Sequence, residues 1–192
     1  MQNQKYQKKQ LHLSYDEERL KKLSGMFLIY LAFYLFVAFT SYLFTWQNDH
    51  DIVFRFSWEI FLTDIQVNNW LGRLGAFLAD LIVYWGFGIF SIWIIYILYK
   101  AGLLLIRGES IQRFFPFMQK ILISFVVGGP LLAFIFQKFN FPLGGALSEI
   151  IVSLLENTLG NYITGIVLFS ANISCLYIFI IRPSNLFKNP LA

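Results

Sequence analysis

The sequence predicts an all-α integral membrane protein: a four-helix bundle with two interfacial or re-entrant amphipathic helices, built as a tandem 2+2 repeat. Three observations carry that prediction. Residues 23–48 contain no Asp, Glu, Lys, Arg or His, and about 20 apolar residues suffice to cross a bilayer. Three further apolar stretches follow. The chain is 57% hydrophobic and only 14% charged, against about 25% charged in a soluble domain. Backbone amides in lipid must be bonded internally, so each span has to be a helix.

Residues 1–22 form a polar N-terminal segment with Lys5, Lys8, Lys9, Arg19, Lys21 and Lys22. It is too long for a secretory leader and carries Asp16, Glu17 and Glu18, so the first apolar run is read as an uncleaved anchor. The spans are expected at 23–46, 81–106, 117–137 and 159–181, with the start of a linker at 183–192. Lys and Arg gather before the first span, between the second and third (Lys100, Arg107, Arg113, Lys120) and after the fourth (Arg182, Lys188). That asymmetry predicts a multi-pass protein of the cytoplasmic membrane with both termini inside. Lys100 and Lys120 are expected to snorkel toward the inner headgroups. The net charge of +4 suits anionic lipid, so the bilayer is the first partner expected.

Trp46, Trp70, Tyr84, Trp85 and Tyr162 fall where an outer aromatic belt would lie. Gly128, Gly129 and Pro130 predict a kink in the third span. In the fourth, Ser170, Asn172 and Ser174 form a candidate helix-packing or assembly face. Cys175 is the single cysteine and reads as a small packing residue. His12 and His50 lie on opposite sides of the first span and share no ligand set. No cofactor or metal site is expected in this chain.

The interfacial helices are expected at 73–85 and 145–158. In the second, Leu147, Ile150, Ile151, Leu154 and Leu155 share one face, while Ser148, Glu149, Ser153 and Glu156 lie opposite. Gly75 to Val83 aligns with Gly144 to Val152: a glycine opens each, an acid (Asp80, Glu149) follows five residues later, and an aliphatic triplet comes next. This is the sequence trace of the repeat. Gly75, Gly144 and Gly145 are therefore candidate sites of close backbone approach. Asp80 and Glu149 are expected to occupy matching places on wet faces near the helix N-termini.

The run from Asn69, NWLGRLGAFLADLIVYWGFG, with the aromatic-rich helix after it, resembles the second span region of the FtsK/SpoIIIE DNA translocases. The run Leu143-Gly144-Gly145-Ala146-Leu147, continuing through Leu159-Gly160, is similar to that family's approach to its fourth span. The resemblance covers roughly residues 20–182. It implies a domain that anchors at the division septum, associates with division-machinery membrane proteins and self-associates beneath a hexameric motor. ATP and Mg would belong to that motor, and DNA would be met only through it. The sequence has no GxxxxGK[ST] phosphate loop and no HExxH, GxSxG or CxxC motif, so this chain is not expected to be an enzyme. It reads as the membrane portion of a longer protein, with a stand-alone paralogue as the alternative. Two other readings stay open: a small channel or transporter with Asp80 and Glu149 as path acids, and a division or cell-wall scaffold docking through Phe54, Phe56, Trp58 and Trp70.

Overall fold

The computed structural model describes residues 2–53 and 66–181. Helix α1 runs unbroken over Gln2–Val53, past both ends of the expected first span. Its core stripe is Ala32, Leu35, Ala38, Phe39 and Tyr42, spaced three and four residues apart as one helical face requires. Phe27, Tyr30, Phe33 and Phe36 point away from the protein and are exposed. A water-soluble helix would not display that face, and lipid is its natural solvent. At the polar end Lys22 pairs with Glu18 at 2.7 Å, which holds the Glu18 carboxyl below its ordinary range.

After residue 66 the chain enters α2 (Gly72–Ala79), continues as a π-helical turn (Asp80–Phe87) and a 3₁₀ turn (Gly88–Ser91), then straightens into α3 (Ile92–Arg107). The expected overlap of an interfacial helix with a second span from residue 81 is thus resolved at Gly88. Gly108, at φ 70°, ends α3. A 3₁₀ turn (Ile111–Phe114) leads into α4 (Phe115–Ile135), then α5 (Ala146–Leu159) and α6 (Asn161–Ile181). Among the described residues, Asp16–Val53, Gly72–Arg107 and Phe115–Ile135 are long and apolar enough to cross a membrane. α6 matches α4 at 21 residues, about 30 Å of helix.

The packing falls into two halves of like order. α1 lies along α3 and covers α2; α4 contacts both α5 and α6. α1 and α3 cross at a glycine pair, where a β-carbon on Gly25 or on Gly102 would stand 2.7 Å from the other's carbonyl oxygen. α6 is tied to α4 by Asn172, whose amide donates to the Val127 carbonyl at 3.0 Å.

The halves meet where the π turn rests on α5, and glycine makes that contact. Gly88 (φ 56°) and Gly145 (φ 79°) hold left-handed backbone that favours glycine. A β-carbon on Gly88 would collide with the Leu143 carbonyl, one on Gly145 with the Gly86 carbonyl, and one on Gly144 with the Gly129 carbonyl. The approach admits a backbone bond from Ile89 N–H to the Leu143 oxygen at 3.0 Å.

α4 runs as one helix through Pro130. Gly128 there makes room for the Phe90 ring, and Gly129 for the Ser148 hydroxyl. On α5, Ser148 of the polar side is buried together with Val152, while Leu147, Ile150, Ile151 and Leu154 are exposed. The physical reason is the solvent. An apolar stripe next to lipid gains nothing by turning inward, and Gly129 leaves space for a small hydroxyl-bearing residue and nothing larger.

These contacts set a test. Gly88→Ala should lower the melting temperature of the detergent-solubilised chain far more than Gly108→Ala does. Gly108 also has positive φ, but nothing lies within 4 Å of a β-carbon there, so only the left-handed cost of roughly 1–2 kcal/mol applies. Equal shifts would mean that the junction yields without loss.

Candidate functional site

The core stripe of α1 turns polar beyond Phe39. Ser41, Tyr42 and Asp49 are fully buried, and the same side of the helix carries Thr45. They meet the incoming segment 66–71 and the π turn. The Tyr42 hydroxyl donates to Asp80 Oδ1 at 2.5 Å. His50 Nδ1 stands 2.7 Å from the same oxygen, and its ring stacks on Tyr84 with centroids 3.7 Å apart. Asp80 itself is 3% exposed. A buried carboxylate is tolerated only when paired and hydrogen-bonded, and both partners here come from α1.

Around the second acid the segment 66–71 is strapped down. Asp49 accepts from the Thr45 hydroxyl at 2.7 Å and from the Asn68 backbone N–H at 2.7 Å. Ser41 Oγ accepts from Trp70 N–H at 2.9 Å, and the Asn69 amide donates to the Ala38 carbonyl at 3.0 Å. Gly75 lies beneath this strap. A β-carbon there would stand 2.6 Å from Asn69 Oδ1.

The π turn explains how Asp80 reaches its partners. The stretch holding α2 and the π turn, and the stretch holding α5, are each framed by positive-φ glycines, Gly72 to Gly88 and Gly145 to Gly160. The first frame is one position longer than the second. A π turn absorbs one extra residue within a helix, and such turns recur at functional sites. The extra residue falls at Asp80–Phe87, so Asp80 opens the widened stretch.

The structure separates Asp80 from Glu149. Counted from the frame glycines, Asp80 stands one helical turn further along than Glu149. Glu149 lies on the exposed side of α5, where partial burial raises its carboxyl above the ordinary range. The expectation of matching places on wet faces is corrected, because the sequence alignment had slid by one turn. Ser170 and Ser174 are also set apart from Asn172. Their hydroxyls bond their own helix, to the Val167 and Ser170 carbonyls, and both residues face outward, whereas Asn172 faces α4. Trp70 is 65% exposed. Phe54, Phe56 and Trp58 lie outside the described residues.

Sequence reasoning passed over Tyr42, Asp49 and His50. A usable signal was the continuation of the α1 core spacing into Tyr42, Thr45 and Asp49. What the cluster does chemically is clamp. It locks the C-terminal turns of α1, the returning strap and the π turn into one body. Among the described residues there is no group of three or more His, Cys, Asp or Glu placed to hold a metal.

Tyr42→Phe removes a donor to a buried carboxylate and should cost about 1.5–3 kcal/mol, read as a lowered unfolding midpoint. Glu149→Gln should stay within about 0.5 kcal/mol. A double-mutant cycle of Tyr42→Phe with Asp80→Asn should return a coupling on the order of 1 kcal/mol; additive losses would show that the two side chains act separately. Asn172→Ala should cost roughly 0.6–1.7 kcal/mol, the range for hydrogen bonds between membrane helices.

No curated protein and no solved structure matches the chain. The profile of one family does, over residues 17–186, which takes in the core stripe of α1, the clamp, the glycine junction and α6. The chain belongs to the family described as the 4TM region of DNA translocase FtsK/SpoIIIE.

Proposed function

We propose that this chain is the membrane anchor and assembly domain of a cell-division DNA translocase. It tethers a cytoplasmic ATP-driven motor to the division septum, so that chromosomal DNA is moved as the septum closes. The observation that carries the reading is the family match across nearly the whole fold. The glycine junction and the polar clamp support it, since both make a stiff body, which is what an anchor under load needs.

In this reading both termini are cytoplasmic, as the Lys and Arg asymmetry favours. Nucleotide, Mg and DNA are handled by the motor, and the chain itself hydrolyses no ATP. Its own partners are lipid, other copies of itself and membrane proteins of the division machinery. The buried polar side chains also favour an anchor over a pore. Asp80 and Asp49 are each engaged by protein donors, and they belong to one cluster at the outer end of α1.

A reporter active only outside the membrane should be silent when fused after Ala192 and active when inserted near Asn48. A fluorescent fusion of the full-length protein should gather at the septum, and uniform membrane fluorescence in dividing cells would sink the anchor reading. Ser170 and Ser174 face outward, so Ser170→Leu and Ser174→Leu should leave the unfolding midpoint within about 0.5 kcal/mol. If copies meet through this face, the same substitutions should abolish crosslinking between them. Unchanged crosslinking would place self-association elsewhere.

A further inference from the structure

A cavity of about 170 Å³ lies between α1 and the stretch that runs from the π turn into α3. Part of its lining is buried. Phe39 of α1, Val83 of the π turn and Ser91 of the 3₁₀ turn are 7%, 2% and 2% exposed. The rest of the lining opens outward. Phe36, Leu43, Ile89 and Ile92 also border the cavity, and each is exposed. These are large apolar side chains on the lipid-covered surface of the bundle, so the cavity opens toward the bilayer.

Two hydroxyls border the cavity, and both are already engaged by their own helical turns. Thr40 donates to the Phe36 carbonyl at 2.7 Å, and Ser91 donates to the Gly88 carbonyl. A buried water needs about two to four polar partners, whereas an apolar cavity of about 150 Å³ stays dry and takes up benzene. Left empty, the lining forfeits its contacts on one side. Size narrows the occupant further. Pockets that enclose a whole drug-sized molecule run to roughly 300–1,000 Å³. A smaller cavity with an open mouth suits one slender apolar segment whose remainder stays outside, and outside this mouth lies hydrocarbon.

We propose that this cavity is a binding site for one acyl chain of a membrane phospholipid, which enters past Phe36 and Ile92 and reaches Phe39, Val83 and Ser91. The chain leaves no water behind, so the attraction is the van der Waals contact that the lining regains. The occupant also touches Ile89, whose N–H holds the Leu143 carbonyl at 3.0 Å. The bound lipid thereby becomes part of what supports the glycine junction. The site depends on neither the family membership nor the anchor reading.

The test uses the purified chain in phosphatidylcholine nanodiscs that contain a phosphatidylcholine with a photoreactive diazirine on one acyl chain. After irradiation, adducts are mapped by mass spectrometry of the digested chain. Adducts should form on Phe39, Val83 or Ser91, which a lipid lying on the surface does not touch. Adducts on exposed Leu122 and Val126 of α4 serve as the control for ordinary lipid contact. Val83→Phe, which fills the cavity, should abolish the buried adducts and leave those on α4. Ile92→Trp narrows the mouth from an exposed position and should do the same if Val83→Phe fails to fold; circular dichroism shows which variants are folded. Buried adducts that persist in every folded variant, or none in the wild type, would overturn the proposal. In a parallel arm, free trifluoromethyl-phenyldiazirine replaces the lipid probe. Labelling of the buried residues by this small reagent but not by the lipid would assign the cavity to small apolar solutes and overturn the acyl chain.

Discussion

The structure depends on how closely two backbones approach at the junction of its halves. At Gly88 and Gly145 the Leu143 and Gly86 carbonyl oxygens stand where a β-carbon would collide with them. Lipid gives helices no hydrophobic reason to associate, so close van der Waals contact and a few backbone bonds must supply the attraction. The Ile89 to Leu143 bond forms only because no side chain intervenes. The π turn can rest on α5 for the same reason.

The polar clamp works by a different logic. Its groups are costly to bury singly, so each must be satisfied by another in the same cluster. Asp80 depends on Tyr42 and His50, and Asp49 on Thr45 and the Asn68 amide. That mutual dependence ties three segments distant in sequence into one arrangement. The glycine junction fixes how near the halves come, and the clamp fixes the rotation of the π turn that carries Asp80.

Much of this was legible in the sequence, for definite reasons. The spans declared themselves because lipid forbids charge over some twenty residues. Gly75, Gly144 and Gly145 stood out because glycine amid apolar residues marks a close approach. The burial of Ser148 on α5 was not legible, because periodicity defines a polar side but not which of its residues meets protein. Asp80's partners were hidden because His50 lies 30 residues away in the chain and looked isolated. The single extra residue in the first frame was also hidden. The motif around Gly75 and Gly144 aligns well one turn out of step, and only the positive-φ glycines show the true frame.

The continuity of α1 has a mechanical consequence. At 52 residues it is a rod of about 78 Å, whereas the stretch from α2 to α3 and that from α5 to α6 are each interrupted by glycine. It meets α3 closely at Gly25 and Gly102, packs through the stripe from Ala32 to Tyr42 and is locked at Asp49 and His50. The stretch before Gly25, about 35 Å long, is therefore a beam fixed at one end: a sideways push on it is taken up as bending near Gly25 and does not reach the turns that hold Asp49 and His50.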